Sequence, residues 1–143
     1  MQVWCLQIER IWFVLNLLFF HQLINLNFWL ADIEKNAKEA ADYFYRSCTY
    51  GNGNKFGCYY SGQMLAATDP DIKPYVKQDI KTALKHLEKG CYLGCADSCF
   101  AASSFYFLGN EGCEQNMKKA FEMSLKGCEL DHIQSCSNLS HMY

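Results

Sequence analysis

The stretch VKQDIKTALKHLEKGCYLGCADSCFAASSFYFLGNEG, residues 76–112, decides the fold. Asp79 stands where a helix N-cap belongs, since its short side chain can accept a hydrogen bond from an unpaired first-turn N–H. Ala83 follows four residues later, Cys91 eight residues after that, and Cys99 eight residues further on. An apolar run from Phe105 to Leu108 ends at Gly109, a residue suited to closing a helix. The pattern predicts two short antiparallel helices joined by a tight turn, with a cysteine on each side of the turn.

The same unit occurs before and after this stretch. Ala40, Ala83 and Ala120 each stand eight residues before a cysteine, namely Cys48, Cys91 and Cys128. Four residues before each alanine is a short polar capping residue, Asn36, Asp79 or Asn116. Three residues earlier is a small apolar one, Ile33, Val76 or Cys113. The second cysteines are Cys58, Cys99 and Cys136, each followed six residues later by a bulky apolar side chain, Met64, Phe105 or Met142. The repeat starts lie 43 and 37 residues apart. The six extra residues of the first period divide between its turn and the loop from Ala67 to Tyr75, which carries both prolines. Stacked repeats tolerate such insertions because each unit touches only its neighbours. The expected fold is an all-α solenoid of tetratricopeptide-like helix-turn-helix repeats, about 33–75, 76–112 and 113–143.

Six of the nine cysteines fall in the turn-spanning pairs Cys48/Cys58, Cys91/Cys99 and Cys128/Cys136. Antiparallel helices near their shared turn can bring Cα atoms to about 5.5 Å, the separation a disulfide requires. Each bridge would contribute on the order of 2–3 kcal/mol. Disulfides at these pairs imply an oxidising compartment. The other reading is buried free thiols, since cysteine packs well as a small hydrophobe. A net charge of −2 with scattered Lys and Arg offers no nucleic-acid face.

The Ala-rich first helices, Leu108-Gly109 and Gly112 resemble the Sel-1-like repeat, a relative of the tetratricopeptide repeat. GCYLGCADSCFAAS (residues 90–103) and GCELDHIQSCSNLSHMY (residues 127–143) resemble its cysteine-rich subset. Animal members of that subset are cytochrome c oxidase assembly factors, and bacterial members are secreted cysteine-rich proteins described as penicillin-binding. The resemblance covers about residues 31–143. It implies a non-enzymatic scaffold stapled at the three pairs, whose concave face, lined by the first helices, holds a partner protein. The implied process is respiratory-chain assembly, chiefly of cytochrome c oxidase, in the mitochondrial intermembrane space, with no cofactor. Two alternatives accompany it: a thiol-disulfide or haem-handling redox protein of the same compartment, and a secreted or anchored cysteine-rich protein of the secretory pathway.

Residues 1–30 do not fit the repeat. Ile11 to Leu30 is twenty residues, mostly Leu, Ile, Phe and Trp, a length that suits a membrane span. Asn16, His21, Gln22, Asn25 and Asn27 inside it are costly in lipid. As a signal peptide it would use Ile11 to Phe20, but Glu9 offsets Arg10 and no A-x-A site follows. Its Leu, Ile, Phe and Asn content is also that of translated AT-rich non-coding sequence, foreign to the family. Membrane contact is expected only through residues 11–30. The chain stops at Tyr143 without a Leu-Gly ending, and so reads as a piece of a longer array.

Candidate chemistry is sparse. Cys91-x3-Cys95-x3-Cys99 sets an extra thiol, Cys95, beside a turn-spanning pair, as a thiol-exchange site would need. Lys89 is the one nearby group that would favour its thiolate. Cys128, His132, Cys136 and His141 have the residue types of a Cys2His2 metal site, or of haem ligands. Against a metal, the equivalent cysteines of the other repeats have no matching histidines. Cys113 reads as a packed hydrophobe and His86 as an edge residue of its helix. No Ser-x-x-Lys, Gly-x-Ser-x-Gly, P-loop or dinucleotide fingerprint is present, and no catalytic residue is expected.

Overall fold

Six helices and no strand make up the described residues, 35–66, 73–109 and 112–143 of the computed structural model. Helix α1 covers residues 35–49, α2 Lys55–Ala66, α3 Ile80–Tyr92, α4 Ala96–Leu108, α5 Met117–Glu129 and α6 Ile133–Met142. The packing lies within residues 37–143, which form one unit. Three hairpins, α1/α2, α3/α4 and α5/α6, each carry a disulfide across the turn: Cys48–Cys58, Cys91–Cys99 and Cys128–Cys136. This is the expected all-α solenoid. The apolar run 11–30 and most of the proline loop lie outside the described residues.

Each bridged pair has its Cα atoms 4.5 Å apart. Helices can come that close only where the neighbouring side chains are small. The residue before each cysteine supplies this: Ser47 meets Gly57, Gly90 meets Ser98, and Gly127 meets Ser135. A Cβ on Gly90 would lie 2.5 Å from Ser98 Oγ and 3.2 Å from Cys58 Cβ. On Gly127 it would lie 2.4 Å from Ser135 Oγ and 3.2 Å from Cys99 Cβ. Each glycine thus admits its own hairpin partner and the bridge of the preceding repeat.

Side chains expected to cap helices do so at two places. Asp79 accepts from Thr82 N at 3.1 Å and Asn116 from Lys119 N at 3.1 Å. The Thr82 bonds hold the Asp79 carboxyl below its usual range. Asn36 does not cap, because the helix already includes residue 35. The second helices have caps that the repeat pattern did not reveal. Asn54 accepts from Phe56 N and Gly57 N, and His132 accepts from Ser135 N at 3.2 Å. Cys95 holds the equivalent place in α4 without a side-chain bond, and Ser98 Oγ is left buried and unpartnered. Gln78 and Gln115, each just before a cap, donate to Ala66 O and Phe107 O, closing the preceding second helix.

Between repeats, α2 packs along α3 and α4 along α5, more extensively than α3 packs on α4 or α5 on α6. Ala83 and Ala120, fully buried, allow this approach. Tyr45 of α1 is 43% exposed, its ring lying 5.0 Å from His86.

Gly127→Ala should lower stability by about 1–3 kcal/mol through overpacking, against a helix-propensity gain of roughly 1 kcal/mol. Adding Ser135→Gly copies the bulk-then-glycine order of Ser47 and Gly57 and should return most of the loss. Urea midpoints of the two single variants and the double variant check this; additive losses would show that the two sites do not share one contact.

Candidate functional site

The three bridges occupy Cys48, Cys58, Cys91, Cys99, Cys128 and Cys136, leaving Cys95 and Cys113 as buried free thiols among the described residues. Cys113 joins the core cluster, and burial raises its thiol pKa, with Glu88 adding. Cys95 sits at the start of α4 with 4% exposure. Lys89 does not serve it: Lys89 Nζ donates to Cys48 O at 2.6 Å, capping the end of α1 across the repeat boundary.

Three of the residues considered for metal or haem, Cys128, His132 and Cys136, are engaged otherwise. With Cys128 and Cys136 bonded to each other, neither offers a thiolate. His132 Nδ1 accepts from Ser135 N, and Nε2 lies 3.3 Å from Asp97 Oδ1. Both nitrogens of the ring are thus in use, so these residues do not fit a metal or an axial haem contact. His141 joins no group of three metal-ligating residues among the described residues.

Asp97, His132 and Ser135 are linked in the order of a nucleophile relay, with Ser135 Oγ 3.0 Å from His132 Nδ1. Ser135 is fully buried, however, so a substrate carbonyl cannot reach its hydroxyl. His86 is not an edge residue. It is 7% exposed, and its Nδ1 lies 2.7 Å from Ser61 Oγ. Burial lowers its pKa, and Lys89 adds to the effect.

The two faces of the array differ. First helices are joined by charged and aromatic contacts. Lys119 Nζ lies 3.0 Å from Glu88 and 3.2 Å from Tyr106 Oη, and the Tyr106 hydroxyl also donates to Glu88. The Tyr106 and Glu88 bonds push the Lys119 pKa up. Tyr92 donates to Glu122 at 2.7 Å, under the Lys126 ammonium. The clefts open elsewhere. One of about 350 Å³ lies between α2 and α4, lined by Tyr59, Gln63 and Phe105 among others. One of about 440 Å³ lies between α4 and α6, and the two share Phe100, Ser104 and Leu108. The resemblance implies a partner face on the first helices; these two clefts lie along the second. The signal was in the sequence: α4 carries one formal charge, Asp97, and α6 none.

The Sel1 repeat profile matches residues 27–52, 57–95 and 96–132. The chain belongs to the Sel1 repeat family. The Sel1 frame of the second and third matches groups α2 with α3 and α4 with α5, the helices that pack most extensively. The chain is 36% identical over 107 residues to cytochrome c oxidase assembly factor 7A of Xenopus laevis. It is 33% identical over 107 residues to cytochrome c oxidase assembly factor 7 of Xenopus tropicalis. Each match takes in 74% of the chain and 45% of the relative, so the chain spans about half the length of these relatives. Helicobacter pylori cysteine rich protein B shares the Sel1 solenoid fold, with a TM-score of 0.52 and 22% identity over 74% of the chain and 96% of that structure.

Two outcomes follow. In the native oxidised protein Cys95 and Cys113 should resist alkylation. In urea without reductant they should label, whereas the six paired cysteines should need reductant; peptide mapping by mass spectrometry reads the difference. The second concerns His86. A depressed folded pKa means the unfolded chain binds a proton first. Stability is therefore full above about pH 6.5 and falls as pH drops toward the folded value, by at most about 1.4 kcal/mol per unit. Ser61→Ala with His86→Met copies Ala102 and Met123, the equivalent pair one repeat on, and should flatten that slope in urea titrations between pH 7.5 and 5.

Proposed function

We propose that the chain is a non-catalytic scaffold for the assembly of respiratory-chain complexes, chiefly cytochrome c oxidase, in the mitochondrial intermembrane space. The observation that carries this reading is the 36% identity, over 107 residues, to a protein named cytochrome c oxidase assembly factor 7A. The three bridged hairpins support an oxidising compartment. A binding role is supported by the polar clusters at His86 and Ser135, whose hydroxyl and imidazole groups are buried or engaged with each other. Among the described residues no helix is long and apolar enough to cross a membrane. On this reading the haem and thiol-exchange roles are not needed.

Depleting the protein should reduce assembled cytochrome c oxidase on native gels, and re-expression should restore it. Cys91→Ser with Cys99→Ser should restore it poorly, because the central hairpin loses a bridge worth on the order of 2–3 kcal/mol. Protease protection of a tagged chain should place it between the two mitochondrial membranes. Normal oxidase levels after depletion, or a tag found in the secretory pathway, would defeat the proposal.

A further inference from the structure

We propose that the second-helix face docks a predominantly apolar helix of a partner protein, carrying one basic side chain that meets Asp97. The inference rests on the scaffold reading and names the chemistry of its partner.

The argument begins with charge. The formal charges on α2, α4 and α6 together are Lys55 and Asp97, whereas α3 alone carries Lys81, Lys85, Glu88 and Lys89. Helix α4 is apolar all round, and a helix of that kind is ordinarily covered on every side. Here Phe107 is 44% and Leu108 65% exposed. A contiguous uncovered apolar surface marks a place where another molecule binds.

Shape agrees with charge. Asp97, Phe100, Ala101, Ser104, Phe105 and Leu108 recur at helical spacing and line one wall of the α2/α4 cleft from end to end. At 1.5 Å per residue this wall is about 17 Å long, the length of roughly three helical turns. Ala101 and Ser104 form a low middle between Phe100 and the Phe105/Leu108 end, where a large side chain can seat. A peptide added as a β-strand would need backbone hydrogen-bond partners, and the described residues contain no strand edge to provide them. A helix satisfies its own backbone and needs only apolar contact.

Charge also selects the occupant. Among the described residues Asp97 is the one formal charge lining either cleft, and its side chain is 63% exposed. Its ion pair is with His132, at 3.3 Å. Among the described residues no lysine or arginine lines the clefts, so an acidic occupant would meet like charge there, and a single lysine or arginine would meet a carboxylate.

The test uses the oxidised full chain and a fluorescein-labelled amidated peptide of about 14 Leu, Ala and Ser residues with one Lys in a terminal turn, a length matched to the groove. Anisotropy should show saturable binding. Ser104→Lys and Leu108→Lys should each weaken it by about tenfold by placing a charge in the buried contact. Leu125→Lys, on a first helix, should leave it unchanged. Replacing the peptide's Lys with Glu should weaken binding to the wild type but not to Asp97→Asn. Circular dichroism checks that each variant is folded; should Ser104→Lys fail, the exposed Leu108 decides. The proposal is overturned by absent saturation, by equal weakening with Leu125→Lys, or by a dimer in light scattering that Leu108→Lys disperses, which would make a second copy the occupant. Peptide binding without any oxidase defect on depletion would sink the scaffold reading and keep the groove. An oxidase defect without peptide binding would do the reverse.

Discussion

The close approach of two helix backbones at each cysteine pair is the constraint from which the rest of the array follows. A Cα separation of 4.5 Å leaves no room for two ordinary side chains on the adjoining positions. One member of each adjoining pair is therefore glycine and the other serine. In the second and third hairpins the glycine is on the first helix, where it also receives the bridge of the repeat before it, Cys58 on Gly90 and Cys99 on Gly127. Sulfur bridges and glycines thus alternate along the stack. The disulfides fasten the hairpin contacts, which in the second and third hairpins are the sparser ones, while apolar burial holds the repeats together.

The two interfaces between repeats solve one packing problem with different residues. Where α2 meets α3, Ser61 pairs with His86, and Gly62 makes room for Leu87. Where α4 meets α5, the equivalent positions hold Ala102 with Met123 and Ser103 with Ser124, the last two sharing a hydrogen bond at 2.5 Å. Volume is traded across the contact, and each interface keeps one buried polar pair. Such pairs are costly if broken and fix the register of one repeat on the next. Glu88 and Lys119 of the first helices, with Tyr106 of α4, add a further cluster to this joint. The charges of the first helices are therefore partly committed to stacking, whereas the second helices, whose formal charges are Lys55 and Asp97, line the two clefts.

The cysteine offsets were enough to read the fold, because a period enforced by covalent bridges survives loop insertions. Asp79 and Asn116 were legible as caps because a cap acts within one turn of its own helix. The misread residues depend on neighbours distant in the chain. His86 looks like an edge residue until α2 covers it with Ser61, 25 positions earlier. Lys89 looks like a partner for Cys95 until α1 presents the Cys48 carbonyl. The glycine and serine exchange before the cysteines was visible in the letters, but nothing local says that these positions face each other. The scarcity of charge on the second helices was equally visible, and it became informative only once the clefts were placed beside it.

The bridges span sequence separations of 10, 8 and 8, and none joins one repeat to another. Mechanically, this makes the chain a string of short knots with free line between them. A pull on its ends can peel the repeats apart one after another without breaking a covalent bond, and each knot withholds only a few residues of slack. Oxidation therefore protects the hairpins while leaving the stack free to unzip and rewind, a property that cross-repeat bridges would have removed.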